Sequence, residues 1–281
     1  MNRLAFSTLP CRGRSLDEMI ALGTRYGFSG IELREGADWS VSIEMTPQER
    51  TAALLKLQRA GIRVTNLGSG VRYTGHEEDD RQFEAFREAA ALACDLGAAG
   101  IRIFLGHFNA RRDRPVPDIR YDELVLRIRQ SCDEAAARGL QVWIETHNEF
   151  ATGRVLSDLL RKVDRPNCAV IYDILHPLEE GETPETTIAM LGSRCAHVHI
   201  KDGIPKPDPM AIDWEYTLVG QGSAPIASIV RQLEQAGYRG CYSLEWETPW
   251  RSELQRPGFE PEDVFPEYTT FMSTINRNLM K

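Results

Sequence analysis

Four apolar runs in this chain end in residues that can hold a cation or move a proton. "VWIETH" carries Glu145 and His147, and "VIYDILH" carries Asp173 and His176. "AHVHIKDG" carries His197, His199 and Lys201, and "YSLEWE" carries Glu245 and Glu247. Burying a carboxylate is costly unless it is paired or ligates a metal, so charge at the end of an apolar run needs a reason. In an extended strand residues i and i+2 share a face. Glu145 therefore points with His147, His199 with Lys201, and Glu245 with Glu247. A set of Glu, Asp, His and Glu converging from neighbouring strands is rich in oxygen, with one imidazole. Those donors suit one divalent ion, Mn, Mg, Co or Zn, rather than a soft thiolate-bound metal. Taken singly, each residue reads as a strand terminus solvated in a loop; four successive strands ending this way argue against that reading. His197 lies deeper and reads as a core histidine. His76 and His107 fall in loops, although His107 follows the fourth strand and is within reach of the site.

The elements that must position these residues recur with a regular beat. Eight candidate strands are Leu4–Thr8, Gly30–Arg34, Arg63–Leu67, Gly100–Leu105, Gln141–His147, Ala169–Asp173, Cys195–Lys201 and Tyr242–Glu247. Helical patterns fill the gaps. Ser15-Leu-Asp-Glu18 and Thr46-Pro-Gln-Glu49 match the capping box, with Pro47 at the first helical position. Phe83, Phe86, Ala90, Ala93 and Leu96 repeat at three and four, as do Leu124, Val125, Ile128, Cys132 and Ala135. A glycine closes each of five helices just before a strand, as in "LQRAGIRV" and "AAARGLQV". A last helix over about 262–279 is expected to start or kink at Pro266. Eight strand–helix pairs without a linker predict an α/β protein built as a single (β/α)8 TIM barrel, one domain over 1–281. A doubly wound open sheet would want G-x-G-x-x-G after its first strand, which "STLPCRG" does not supply. Two long loops, Phe108–Ile119 and Gly203–Val219, follow strands four and seven and so fall on the active face of a barrel.

Composition bounds the partners. The chain has 281 residues, with 33 Lys plus Arg against 41 Asp plus Glu, a formal charge of −8. That acid excess argues against a protein built to hold nucleic-acid phosphates or an anionic membrane. Apolar residues make up 42% and charged residues 26%, ordinary globular usage that excludes disordered and collagen-like classes. Six scattered cysteines without a C-x-x-C pair point to a reducing compartment. No apolar run approaches the roughly 18 residues of a membrane span. The reading is a soluble, cytoplasmic protein.

In order and spacing, "GFSGIELR", "LGAAGIRIFLG", "IETH", "YDILH", "HVHIKDG" and "VGQGSAPI…GYRGCYSLEWE" resemble the xylose isomerase-like TIM-barrel superfamily of sugar phosphate isomerases and epimerases, along essentially the whole chain. The resemblance implies one divalent metal, manganese among the candidates, held by Glu145, Asp173, His199 and Glu245, with Glu247 a weaker substitute for Glu245. It implies that Glu145 and Glu245 exchange a proton beside a carbonyl through a metal-stabilised enediolate. His176 then matches the family's substrate-contacting histidine, and Lys201 and His147 are further candidate substrate contacts; from the residues alone His147 and His176 read equally as substrate contacts, as supports behind the metal ligands or as packing. Glu32 and Arg34, alternating on strand two, are placed to meet substrate hydroxyl or carboxylate groups, or equally to form a buried ion pair or a contact in the bottom layer of the barrel. The implied partner is a small sugar or polyol, with no nucleic acid and no membrane; a homo-oligomer is left open.

The chain departs from the epimerase pattern. Those enzymes carry an Arg about six residues after the strand-seven His, where this chain has Pro205. The combination E-x-H, D-x-x-H and H-x-K also resembles the dehydroshikimate and inosose dehydratases, in which His147 or Lys201 would serve as base or acid for water loss. The leading expectation is therefore a metal-dependent sugar or polyol isomerase or epimerase, with a dehydratase as the alternative. An apurinic endonuclease of the same superfamily would need three zinc ions and more ligands than six histidines and a charge of −8 suggest. A barrel that only binds sugar is disfavoured by intact ligands on all four strands. Arg111, Arg112 and Arg114 read as a solvated charge run rather than an anion site.

Overall fold

In the computed structural model, which describes residues 3–109 and 111–279, both predicted capping boxes form. Ser15 caps α1 (Leu16–Arg25) and Thr46 caps α2 (Pro47–Arg59). In the first, Glu18 N donates to Ser15 Oγ, while Ser15 N donates back to the Glu18 carboxylate at 2.7 Å. The glycines at the helix ends take the left-handed conformation that a side chain would resist, as at Gly61 (φ 69°) and Gly139 (φ 70°).

Eight parallel strands close into a barrel. In chain order the strands are β1 (Leu4–Ser7), β2 (Gly30–Arg34), β3 (Arg63–Tyr73), β4 (Gly100–Leu105), β5 (Gln141–Glu145), β6 (Cys168–Asp173), β7 (Cys195–Ile200), the hairpin strands β8 (Asp202–Pro205) and β9 (Trp214–Thr217), and β10 (Tyr242–Leu244). The barrel order is β1-β10-β7-β6-β5-β4-β3-β2, the predicted (β/α)8 architecture. Outside it lie α1, α2, α3 (Glu78–Asp95), α4 (Tyr121–Ala136), α5 (Gly153–Val163), α7 (Pro184–Leu191), α8 (Ile226–Gln235) and α9 (Pro261–Leu279), while a short α6 (Leu175–Glu179) follows β6 directly.

The main core fills the layer between strands and helices. Alternation sets it up: Val142 and Ile144 of β5 and Val198 and Ile200 of β7 face that layer, leaving Trp143, Glu145, His197 and His199 to the inside of the barrel. The C-terminal helix packs back on the first strand, with Phe265 of α9 4.8 Å from Phe6 of β1. Tyr268 Oη donates to Tyr242 O at 2.9 Å, which ties α9 to the last barrel strand as well.

The structure differs from the sequence reading at strand ends, with β5 closing at Glu145 rather than His147 and β10 at Leu244 rather than Glu247, and in three larger respects. Strand β3 runs on to Tyr73 rather than stopping at Leu67, with a register irregularity between Gly68 and Arg72. Gly68 and Gly70 carry no side chain to break the apolar pattern, so the strand's end was not visible in it. The 203–219 segment is not an open loop but contains the antiparallel hairpin β8–β9. Its base is held by Asp202, whose carboxylate accepts from Gly203, Gly220, Gly222 and Ala224 N–H. Helix α9 starts at Pro261, so Pro266 lies inside it rather than opening it.

The two long segments meet above the barrel. Arg111 bridges to Ala211, Arg112 N donates to Met210 O at 2.8 Å, and Arg111 pairs with Asp208 and Asp113. Arg112 pairs with Glu180. These arginines are engaged by surface acids, in keeping with a solvated charge run. Among the described residues, no helix is long and apolar enough to cross a membrane. All six cysteines are free, and all but Cys94 are buried.

Candidate active site

Four strands carry four buried donors to one point. Glu145 ends β5, Asp173 ends β6, His199 lies near the end of β7, and Glu245 follows β10 directly. The ladder order β10-β7-β6-β5 places the two glutamates at the outside of the group, with His199 and Asp173 between them. Asp173 and His199 are register partners. Thr146 locks the ends of β5 and β6: its hydroxyl donates to Asp173 O at 3.1 Å and accepts from Asp173 N at 2.9 Å. One candidate ligand atom from each of Glu145, Asp173, His199 and Glu245 lies within 4.8 Å of the others.

The imidazole is oriented from below. His199 Nε2 lies 2.8 Å from Glu32 Oε2, and His197 Nε2 lies 3.3 Å from the same oxygen. Burial opposes ionisation of Glu32, but the two histidines outweigh it and hold the carboxyl well below its usual range. A carboxylate at Nε2 fixes the proton there and leaves the Nδ1 lone pair free, the arrangement common to metal-binding histidines. That Nδ1 faces Glu245 Oε2 at 3.2 Å and Glu145 Oε1 at 3.5 Å. A lone pair aimed at two carboxylates is repelled unless a cation sits between them or the ring takes a second proton. His199 Nδ1, Asp173 Oδ2 and Glu245 Oε2 are all buried and make no well-directed hydrogen bond. Two of these oxygens share the Lys201 ammonium, which leaves His199 Nδ1, facing two carboxylates, as the donor without a cationic partner of its own; a cluster of this N and O type fits a divalent ion.

A ring of cations surrounds the cluster. Arg102 of β4 donates to Glu145 Oε2 at 2.8 Å and to Ser69 O at 3.0 Å. Lys201, fully buried, has Nζ 2.6 Å from Asp173 Oδ2, 2.5 Å from Glu245 Oε2 and 2.5 Å from Glu247 Oε1. Burial disfavours its charge, but the three carboxylates outweigh it and hold the pKa well above the usual lysine range. Glu247 lies one layer out, tied to Lys201, Arg251 and the Tyr216 hydroxyl, and is not among the four clustered donors. Arg251 also pairs with Asp213 at the foot of β9. Arg102, Tyr216 and Arg251 were not singled out from the sequence. Arg102 alternates with apolar neighbours in "GIRIFLG", the signal that could have found it.

A cavity of about 590 Å³ opens on this cluster, lined among others by Arg34, Arg102, Glu145, His147, Glu245 and Glu247. Phe104, Phe108 and Trp250 give it an aromatic side. Glu145 and Glu245 reach the cavity wall, whereas Asp173 and His199 do not line it. A second cavity of about 430 Å³ adjoins it through His147 and takes in His107 and His176. The His147 and His176 rings are 4.4 Å apart. Burial and the neighbouring His176 push His147 down to about 4. His176 is opposed by burial but raised by Asp173 and Glu179 to about 9, and its Nδ1 lies 2.8 Å from Glu179 Oε2. One ring of the pair is thus neutral and the other charged at neutral pH.

The remaining expected residues fall as follows. Glu32 is committed to the two histidines beneath the cluster and does not line the cavity, so the structure places it apart from Arg34. Arg34 lines the cavity. His197 is buried and stacks on Trp143 at 5.5 Å, as a core histidine. His76 stays in its loop, with Nε2 2.7 Å from Asp118 O.

A closed parallel barrel with acid-rich strand ends at its C-terminal face defines the class of protein, since that face is where barrel enzymes build their sites. Residues 20–271 match the family described as Xylose isomerase-like TIM barrel, and the chain belongs to it. The chain is 26% identical to a 3-dehydroshikimate dehydratase of Bacillus anthracis over 67% of its own length and 66% of that protein, just short of two thirds of the relative. It is 25% identical to a putative hydroxypyruvate isomerase of Streptomyces coelicolor, over 92% of this chain and 90% of that one. The fold superposes on the crystal structure of the IOLI protein with a binding zinc atom, at a TM-score of 0.74 and 16% identity over 99% and 97% of the two chains.

Proposed function

We propose that this protein is a divalent-metal-dependent isomerase or epimerase of a small sugar or polyol, with Glu145, Asp173, His199 and Glu245 as the metal ligands. The observation that carries the reading is the split within the cluster. The two glutamates at its flanks line the cavity, and the other two donors stay behind them. When bound, the ion would act as a Lewis acid toward substrate oxygens.

The side chains supply the proton transfer. Glu145 and Glu245 approach from strands on opposite sides of the cluster, so one can remove a proton beside a carbonyl and the other can return one from the opposite side. Arg102 holds the Glu145 oxygen turned away from His199, and Lys201 holds the Glu245 oxygen that also faces His199 Nδ1. Burial opposes the charge of Glu245, yet His199 and Lys201 keep it ionised far below its usual range, so it enters the reaction as a base. His147, His176, Arg34 and Lys201 are proposed to contact the substrate or position its hydroxyl groups. Phe108 and Trp250 border the cavity mouth.

A dehydratase is the second reading, favoured by His147. This ring faces both cavities and is neutral near pH 7, so it can take a proton where a charged histidine could not. The two readings separate in deuterated water with manganese-loaded protein. An isomerase places solvent deuterium beside the carbonyl of a ketose that stays in the keto–aldose pool, read by proton NMR. A dehydratase turns an inosose or related cyclic ketone into a conjugated carbonyl that absorbs in the near ultraviolet. Glu145→Gln and Glu245→Gln should each lower the rate by about 10²–10⁴-fold. Absence of both exchange and elimination with every ketose and inosose tested overturns the proposal.

A further inference from the structure

Strand β3 has a gap in its inner wall. Gly68 and Gly70, two residues apart, offer the same face of the strand. Guanidinium groups from the strands on either side reach into the space they leave. A Cβ at Gly68 would stand 3.5 Å from Arg102 Nη2 of β4 and 3.5 Å from Glu32 Oε1 of β2, and one at Gly70 would stand 3.6 Å from Arg34 Nη2 of β2. A methyl group would fit at either position; anything larger would displace an arginine. The glycines thus bring Arg34 and Arg102 to adjoining places on the cavity wall.

The two arginines differ in what they hold. Arg102 is paired with Glu145, although its Nε is buried and has no hydrogen-bond partner. Across the cavity Arg251 is paired with Glu247 and Asp213. Arg34 alone among the described arginines of this cavity has no carboxylate in ion-pair range. Its Nη1 donates to two backbone carbonyls, Glu35 O at 2.8 Å and Gly68 O at 2.9 Å, and among the described residues Nη2 has no hydrogen-bond acceptor. Burial and the neighbouring Arg102 push its pKa down to about 10, more than the nearby Glu35 and Glu32 offset. A half-buried guanidinium beside a second one, facing a cavity with a fork of donors unspent, is a site for a planar oxyanion.

We infer that the substrate is an acid rather than a neutral sugar, its carboxylate held by Arg34 on the β2–β4 side of the cavity while its hydroxyl and carbonyl groups face the Glu145–Glu245 cluster. This assignment rests on the proposed reaction site for the orientation of the ligand, but the anion site stands on Arg34. A charge-assisted, two-pronged contact of this kind is worth about 1.5–3 kcal/mol, or roughly 10–100-fold in affinity.

The test compares acids with their neutral counterparts at three sizes: D-glycerate with glycerol, D-gluconate with D-glucitol, and quinate with myo-inositol. Dissociation constants are measured by calorimetry on the manganese-loaded protein and again on the metal-free protein. At least one acid is expected to bind about tenfold or more tighter than its neutral partner. Arg34→Gln should bring the pair within about twofold, chiefly by weakening the acid, with the manganese content unchanged. Arg34→Lys keeps the charge without the fork and should fall between, and it serves as the deciding variant should Arg34→Gln not fold. The inference is overturned if no acid is preferred, or if the preference survives in Arg34→Gln, which would put the carboxylate on the metal. A protein that retains no manganese but shows an Arg34-dependent acid preference refutes the metal centre and leaves this inference standing.

Discussion

Replacing Glu32 tests the proposed metal centre without removing a ligand. Its Oε2 is 2.8 Å from His199 Nε2, and it lies beneath the cluster rather than on the cavity wall. Its work is to keep the proton on Nε2 so that Nδ1 offers a lone pair. Losing an outer-shell carboxylate of this kind weakens metal binding by about 10–100-fold, or roughly 1.4–2.8 kcal/mol. Glu32→Gln should fall at the lower end, because the amide oxygen can still accept from Nε2, and Glu32→Ala at the upper end. The assay is competition for Mn²⁺ against a chelating indicator dye at neutral pH. Burial opposes a second proton on His199, but Glu245, Glu32 and Glu145 outweigh it and hold its pKa well above the usual range in the metal-free protein, so Mn²⁺ must displace a proton from Nδ1 and affinity should rise with pH. Manganese affinity unchanged within about twofold in both variants would refute the reasoning, since His199 would then either not be a ligand or not depend on Glu32 for its orientation.

Other outcomes follow from the same contacts. Lys201→Met strands Asp173, Glu245 and Glu247 without their shared cation and should destabilise the metal-free protein by about 3–5 kcal/mol at pH 7, measured by urea unfolding. Divalent metal should restore part of that loss. His176 is raised from 6.5 to about 9, so its contribution of about 3 kcal/mol is fully present below pH 6.5 and fades as pH rises through 9. The stability gap between metal-free wild type and His176→Gln should therefore narrow between pH 6 and pH 9.5; a gap that widens over that range contradicts the assignment. Asp202→Ala removes the acceptor of four backbone N–H groups and should cost about 2–4 kcal/mol in denaturant unfolding.

Much of the architecture was legible because barrels are periodic. Each strand is an apolar run, most helices have a cap or a closing glycine, and the lack of G-x-G-x-x-G after the first strand weighed against an open sheet. The clustered donors were legible for a related reason. An apolar run that ends in Glu, Asp or His stands out against its neighbours, and Glu145, Asp173, His199 and Glu245 all do so. Arg102 was missed because one arginine inside "GIRIFLG" looks like an amphipathic alternation, and its partner Glu145 lies 43 residues away. The hairpin β8–β9 was missed because Pro, Asp and Lys in "GIPKPDPMAIDW" mask two short strands that pair only with each other.

What the sequence by itself determined is the set of strand ends that carry charge and the order in which they occur, since both depend on local pattern and on the two-residue period of a strand. Only closure of the barrel decided which charges meet. It brought Glu32 of the second strand under His199 of the seventh, 167 positions apart, and so made a residue that looked like a substrate contact into a support for the imidazole. It also set Arg34 beside Arg102 across two glycines and paired every other described arginine on the cavity wall, leaving one guanidinium facing the cavity with no carboxylate in ion-pair range. Pairing of charges depends on through-space distance, which separation along the chain does not encode.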